Sequence, residues 1–351
     1  MSLESGERAA PGRWTAARAN EWYARRPWLV GANFVPSSAS NQLEMWQAAT
    51  FDPVTIDREL GWAAGAGMNS MRVFLHDLVW ADDSAGYRER IARYLDIAHG
   101  HGISTMLVLF DSVWNPNPKL GPQPQPTRGV HNSQWVQGPG VALADPAQEG
   151  RLQDYVEGIV GAFARDERVV VWDVWNEPSN TNGTKFVELP NKRDLVAALL
   201  PKVFAWARRA DPVQPLTAGV WTAQTLYDDP LAAIQIENSD VISFHDYTPP
   251  EGLEAKLRGL PHDRPLLLTE FMARKAGSTF GGSLPIAKRE KIAAYCWGLV
   301  NGRSQTIYPW DSWVTPYLDA PPDPWFHDVF HTDGRPYRED EVALLRAITR
   351  G

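Results

Sequence analysis

The feature that most constrains this chain is an alternation of short apolar runs with amphipathic stretches along nearly its whole length. Runs of that kind, each followed by a helical pattern, argue for βα units and a buried parallel sheet. Eight candidate strands fall at 28–34, 69–75, 104–110, 169–176, 216–220, 241–246, 265–270 and 305–310. Helical patterns fit at 57–66, 87–98, 146–164, 193–210, 222–234, 252–260, 286–300 and 339–349. Their boundaries carry the expected punctuation: Asp145 and Pro146 form a cap and first helical residue, and Gly100 and Gly102 close another helix. Eight strands each followed by a helix is the count of a (β/α)₈ TIM barrel, an α/β fold. A single barrel domain over 1–351 is expected, with 1–25 as a lead-in segment.

The connections are uneven. The stretch 111–145 holds about 35 residues dense in Pro, Gly and Gln. A connection that long inside a compact domain is functional or disordered, and its Trp114, His131 and Trp135 favour an ordered functional loop. Other long segments also follow strands, which is how a barrel elaborates the face that carries its active site.

Composition narrows the function. Thirty-four basic against 42 acidic residues gives a formal charge of −8, which speaks against nucleic acid or anionic membrane as partner. Neither a leader nor a membrane-length apolar run is visible, so a cytoplasmic protein is expected. The single cysteine, Cys296, reads as a buried residue within a helical run. Sixteen tryptophans are many for 351 residues; about half are expected in the core and the rest along a groove, where indole stacks on sugar C–H faces.

Two motifs carry chemistry. VVWDVWNEP puts Asn176 and Glu177 at the C-terminal tip of the fourth candidate strand, and LLLTEF puts Glu270 at the tip of the seventh. A carboxylate at the end of a buried strand must be paired, hydrated or functional. Two of them at one barrel mouth suit glycoside hydrolysis, where one carboxyl must be protonated and the other ionised.

With WNEP and LLTEF in these places, the sequence resembles the clan A retaining glycoside hydrolases, nearest to glycoside hydrolase family 5, over about residues 28–313. The resemblance implies Glu177 as acid/base, Glu270 as nucleophile and Asn176 as a partner of the substrate 2-hydroxyl. It also implies Arg72, from MRVF, beside the nucleophile; His245 and Tyr247, from FHDY, near substrate and nucleophile; and Trp310, from YPW, as the floor of the reacting subsite. The partner it implies is a β-linked carbohydrate, and no metal or organic cofactor takes part in such chemistry. The chain departs from the family at the third strand, which ends Leu109-Phe110-Asp111 with no histidine. His76 or His131 could stand in for it, and Trp114 is a further candidate substrate contact. A transglycosylase and a catalytically silent carbohydrate-binding barrel share these residues. An aldolase or metal-dependent hydrolase would need a strand-end lysine or clustered ligands, and neither is seen.

Overall fold

The computed structural model describes residues 10–183, 185–221 and 229–350. Eight parallel strands form one sheet: β1 (Val30–Asn33), β2 (Ser70–Phe74), β3 (Ser104–Asp111), β4 (Val169–Asn176), β5 (Leu216–Gly219), β6 (Ile242–His245), β7 (Leu266–Phe271) and β8 (Ala293–Trp297). They run in the order β5-β4-β3-β2-β1-β8-β7-β6. Val220 closes the ring, donating its N–H to Ser243 O at 3.0 Å and accepting from His245 N at 2.8 Å. This is the (β/α)₈ barrel expected from the alternation of elements. No described helix is long and apolar enough to cross a membrane.

The strands are buried along both faces, which is why they read as continuous apolar runs rather than alternating ones. Helices cover the outside, and their caps follow the local chemistry. Asp52 caps Pro53–Gly65 by accepting from Thr55 N, and Asp229 caps Pro230–Asn238 by accepting from Leu231 N. The helix Asp77–Gly100 is longer than the pattern at 87–98 suggested and is broken at Asp83, whose backbone is non-helical. The start of the helix expected at 222–234 lies outside the described residues. At the N-terminal end of the barrel, the helix Ala16–Ala24 brings Trp14 and Trp22 against Met106, Val171, Leu267 and Tyr295. The lead-in segment is therefore a plug for the bottom of the barrel.

The eighth strand corrects the sequence reading. It lies at Ala293–Trp297, inside the stretch read as helix 286–300, and the helix before it is Phe280–Arg289. The run 305–310 instead enters a short 3₁₀ turn, Trp310–Trp313. Short apolar runs of a buried strand and of a buried helix have no periodicity that separates them. What decides between them is pairing: Ala293–Trp297 lies beside both β1 and β7. Cys296 is buried as expected, but on this strand.

Nine of the sixteen tryptophans are buried in the fold, close to the half expected. The indole N–H groups of Trp46, Trp172 and Trp175 reach Phe74 O, Gln214 Oε1 and Ser112 Oγ, as burial of that ring requires.

Candidate active site

The site begins with an irregularity. In a regular strand, side chains alternate between faces, so Asp173 and Asn176 on β4 would point to opposite sides. The β4–β5 register shifts between those two residues, and both side chains turn to the same partner, Arg72 of β2. A matching shift at Phe244/His245 in the β6–β7 pairing accompanies the ends of those strands. Such shifts re-aim side chains next to sites. Glu177, directly after β4, has φ 45°, a strained conformation for a residue with a side chain.

Arg72 is fully buried, and its guanidinium is used on every side. Nη1 donates to Asn33 Oδ1 at 2.7 Å and to Glu270 Oε1 at 3.0 Å. Nη2 donates to Asp173 Oδ2 at 2.7 Å and to Asn176 Oδ1 at 2.6 Å, while Nε reaches Asp173 Oδ2 at 3.1 Å. Burial alone would lower the pKa of Arg72, yet Asp173 and Glu270 outweigh it and the net shift is upward. Asn176 is oriented from its other end, where Nδ2 donates to Asp111 Oδ1 at 2.9 Å.

Glu177 and Glu270 meet over this base with His245 between them. His245 Nδ1 lies 2.7 Å from Glu177 Oε1 and 3.4 Å from Glu270 Oε2. Oxygens of the two carboxyls and the imidazole nitrogen all lie within 4.8 Å of one another. Burial pulls His245 down to about 4, so the ring is neutral and its Nδ1–H donates to a glutamate. Gly219 makes room for that ring: a Cβ there would stand 3.0 Å from His245 Nε2. Tyr247 donates its hydroxyl to Glu270 Oε2 at 2.7 Å, and Asn180 Nδ2 donates to Glu177 Oε2 at 2.7 Å.

The two glutamates differ in what surrounds them. Burial pushes Glu177 up to about 7 against the bonded Asn180 amide, and the cations that also oppose the rise, Arg72, Lys256 and Lys192, are not bonded to it. Glu270 is also raised by burial and by the charge of Glu177, but His245, the bonded Arg72 and Tyr247 all pull against that rise. A proton shared by the pair therefore rests on Glu177, while Glu270 keeps the negative charge beside the guanidinium. The same three groups have the spacing of a divalent-cation site. A cation there would face the Arg72 guanidinium across Glu270, so the cluster is better suited to sharing a proton.

A cavity of about 310 Å³ opens above the pair. Asn176, Glu177, Tyr247 and Glu270 line it, together with Trp114 and His131 from the 111–145 loop and Trp310 beyond β8. Seven of the ten residues singled out in the sequence thus reach the cavity, and Arg72 and His245 support its floor. His76 does not belong there. It is wholly buried, its Nδ1 accepts from Leu78 N to cap the helix Asp77–Gly100, and its Nε2 meets Gln137 O at 3.0 Å. The ring is consumed by holding a helix end and the long loop, with no nitrogen left for a ligand.

Trp310 also changes place. It does not end a strand but sits on the loop after β8, edge-on to Tyr247 at 5.2 Å and 39% exposed. The tryptophan that ends β8 and lines the cavity is Trp297, which sequence reading passed over because the strand itself was misplaced. Asp173 was missed too, although an aspartate inside VVVWDVWN was a visible signal, since a buried carboxylate demands a cation. The third strand ends not in a histidine but in Asp111, which accepts from Asn176 Nδ2 at 2.9 Å and from Trp135 Nε1 at 2.6 Å.

The sequence model for cellulase, glycosyl hydrolase family 5, matches residues 60–292, which contain both glutamates, Arg72 and the strands that hold them. The chain belongs to glycosyl hydrolase family 5. Members of this family are retaining glycoside hydrolases. No curated protein sequence matches this family 5 chain. Solved structures similar to it include an exo-β-1,4-mannosidase from Opitutaceae bacterium strain TAV5, at 19% identity and TM-score 0.60, covering 100% of this chain and 63% of that one. A family 5 subfamily 18 enzyme from Streptomyces cattleya, in complex with Manβ1-4GlcNAc, aligns at 14% identity and TM-score 0.59 over 93% of this chain and 80% of that one. A β-1,4-mannanase from the sea hare Aplysia kurodai aligns at 18% identity and TM-score 0.52 over 78% and 88%. At these identities the likeness carries the fold; this family 5 chain spans less than two thirds of the length of the Opitutaceae protein.

Proposed function

We propose that this chain hydrolyses a β-glycosidic bond with retention, Glu270 acting as nucleophile and Glu177 as acid/base. The observation that carries the reading is the pair of carboxyls at the ends of β4 and β7 with oxygens within 4.8 Å of each other. Retaining enzymes hold the two carboxyls about 5–5.5 Å apart, whereas inversion needs roughly 6.5–9.5 Å to admit a water.

The sugar lies across the barrel mouth, its reacting ring on Trp297 and its 2-hydroxyl toward Asn176. Glu270 Oε attacks the anomeric carbon as the bond to the leaving oxygen breaks, and Glu177 gives that oxygen its proton. Glu177, now ionised, takes a proton from water, whose oxygen displaces Glu270 and restores the starting state. Arg72 and the Tyr247 hydroxyl hold the charge of Glu270 before attack. Mannosidases and mannanases among similar folds put β-1,4-mannosides first in a substrate panel, ahead of glucosides and xylosides.

Two predictions test this. In Glu177→Ala, hydrolysis of substrates with poor leaving groups falls on the order of 10²–10⁴-fold, while dinitrophenyl glycosides still form the glycosyl-enzyme. Added azide then yields a glycosyl azide of retained configuration; unchanged turnover of unactivated glycosides would remove Glu177 from the role. The second concerns pH. The free enzyme must hold Glu177 protonated, so kcat/KM falls as pH rises through about 7, the value to which burial lifts that group. It falls on the acid side as Glu270 takes up a proton. Glu177→Gln should erase the alkaline limb measured on an activated aryl glycoside, and a limb that survives there belongs to another group.

A further inference from the structure

We propose that the loop 111–145 closes the glycone end of the cleft and makes this an exo-acting enzyme that removes one sugar at a time from a non-reducing terminus. This rests on the assignment of Glu177 and Glu270 above, because the acid on β4 fixes which way the substrate runs. Glu177 must reach the oxygen between the reacting sugar and its leaving group, so the aglycone extends toward the β4–β5 side. The rest of the glycone would have to run the other way, over β1 and β2.

That side is filled. No described residue of β1, of β2 or of the segments that follow them lines the 310 Å³ cavity. The ends of those strands, at Asn33, Phe34, Val35 and Phe74, instead line a second, small space of about 20 Å³, room for one water. Trp135 of the long loop fills the gap, packing edge-on to Phe74 at 5.1 Å and Trp297 at 5.7 Å, with its N–H held by Asp111. Asn132 and Trp297 line both spaces.

The plug is fastened from above. Across the mouth, the β3 loop meets the segment after β8 through Asn132 N to Ser304 O at 3.0 Å, Tyr317 N to Gly129 O at 3.0 Å and His131 N to Ser312 Oγ at 2.9 Å. His131 Nδ1–H donates to Tyr308 O at 2.9 Å. Burial pulls this ring down to about 4, so it is neutral and Nε2 is an acceptor. Since His131 lines the cavity, that nitrogen is suited to receive a hydroxyl proton of the terminal sugar, the hydroxyl that a longer chain would carry a further sugar on. The opposite end presents Asn182, Lys185 and Trp221 beyond Glu177, a polar and aromatic lining for the leaving sugar.

The test is the first-turnover product pattern of the unmodified protein on β-1,4-linked tetra- to hexasaccharides of mannose, glucose and xylose, fluorescently labelled at the reducing end. The expected result is monosaccharide together with labelled product shortened by one sugar, making up more than about nine-tenths of the initial products. Labelled products shortened by two or more sugars at the first turnover overturn the proposal while leaving the two glutamates in their roles. Failure to cleave any labelled oligosaccharide or aryl β-glycoside overturns both. A variant adds a second measurement: Asn132→Gly suits the φ of 48° at that position and removes one of the two side chains that stand between the spaces. It should raise the share of products shortened by two sugars at least severalfold, and an unchanged pattern counts against the wall.

Discussion

Glu270→Gly loses turnover by roughly 10⁴–10⁶-fold, the scale seen when the residue that forms a covalent intermediate is removed. Azide restores it by attacking from the face that the carboxylate has vacated, so the product is a glycosyl azide of inverted configuration, detectable by NMR of the anomeric proton. The Glu177 variant yields the retained azide, and the two outcomes together assign the residues by stereochemistry rather than by loss of activity. Two contacts support Glu270 as the nucleophile of the pair. It takes the bonded guanidinium of Arg72 and the hydroxyl of Tyr247, whereas no cation is bonded to Glu177. Near-normal activity of Glu270→Gly without azide would remove it from the role.

Arg72→Met has the second large effect, and it acts on the fold as well as the reaction. The substitution leaves Asp173 and Glu270 buried without their cation, and loss of one partner of a buried pair costs about 3–5 kcal/mol. Guanidinium unfolding monitored by tryptophan fluorescence should show that loss as a lower midpoint at unchanged slope. Glu270 then holds its proton more tightly, because the guanidinium no longer favours the carboxylate. The acid limb of kcat/KM therefore moves to higher pH, which a merely structural loss would not produce. Arg72→Lys should recover little, since one ammonium cannot supply the fork that reaches Asn33, Glu270, Asp173 and Asn176 together. An acid limb that stays in place would separate Arg72 from the ionisation of Glu270.

A good part of this site was legible before any coordinates. The barrel follows from eight apolar runs separated by helical patterns, because a parallel strand buried on both faces can only be apolar. Glu177 and Glu270 stand out for the same reason: each ends such a run, where an acidic group is costly unless it is used. Asp173, inside VVVWDVWN, carries the same signal.

Other features depend on contacts between distant segments. Whether 286–300 is helix or strand is invisible in its residues, and it is decided by the free edges of β1 and β7 that Ala293–Trp297 fills. With that strand came Trp297 in place of Trp310. His76 and His131 were equivalent on paper. One nitrogen pair is spent on a helix cap and Gln137, while the other ring is held at Nδ1 and lines the cavity. The long loop announced itself by length and composition, but that its Trp135 packs between Phe74 and Trp297 is seen only in the fold. Sequence alone determined the barrel and the two carboxyls, since local burial patterns encode both. The tertiary structure decided which aromatic ends the eighth strand, which histidine lines the cavity and which strand ends lie outside it, because those depend on partners far away in the chain.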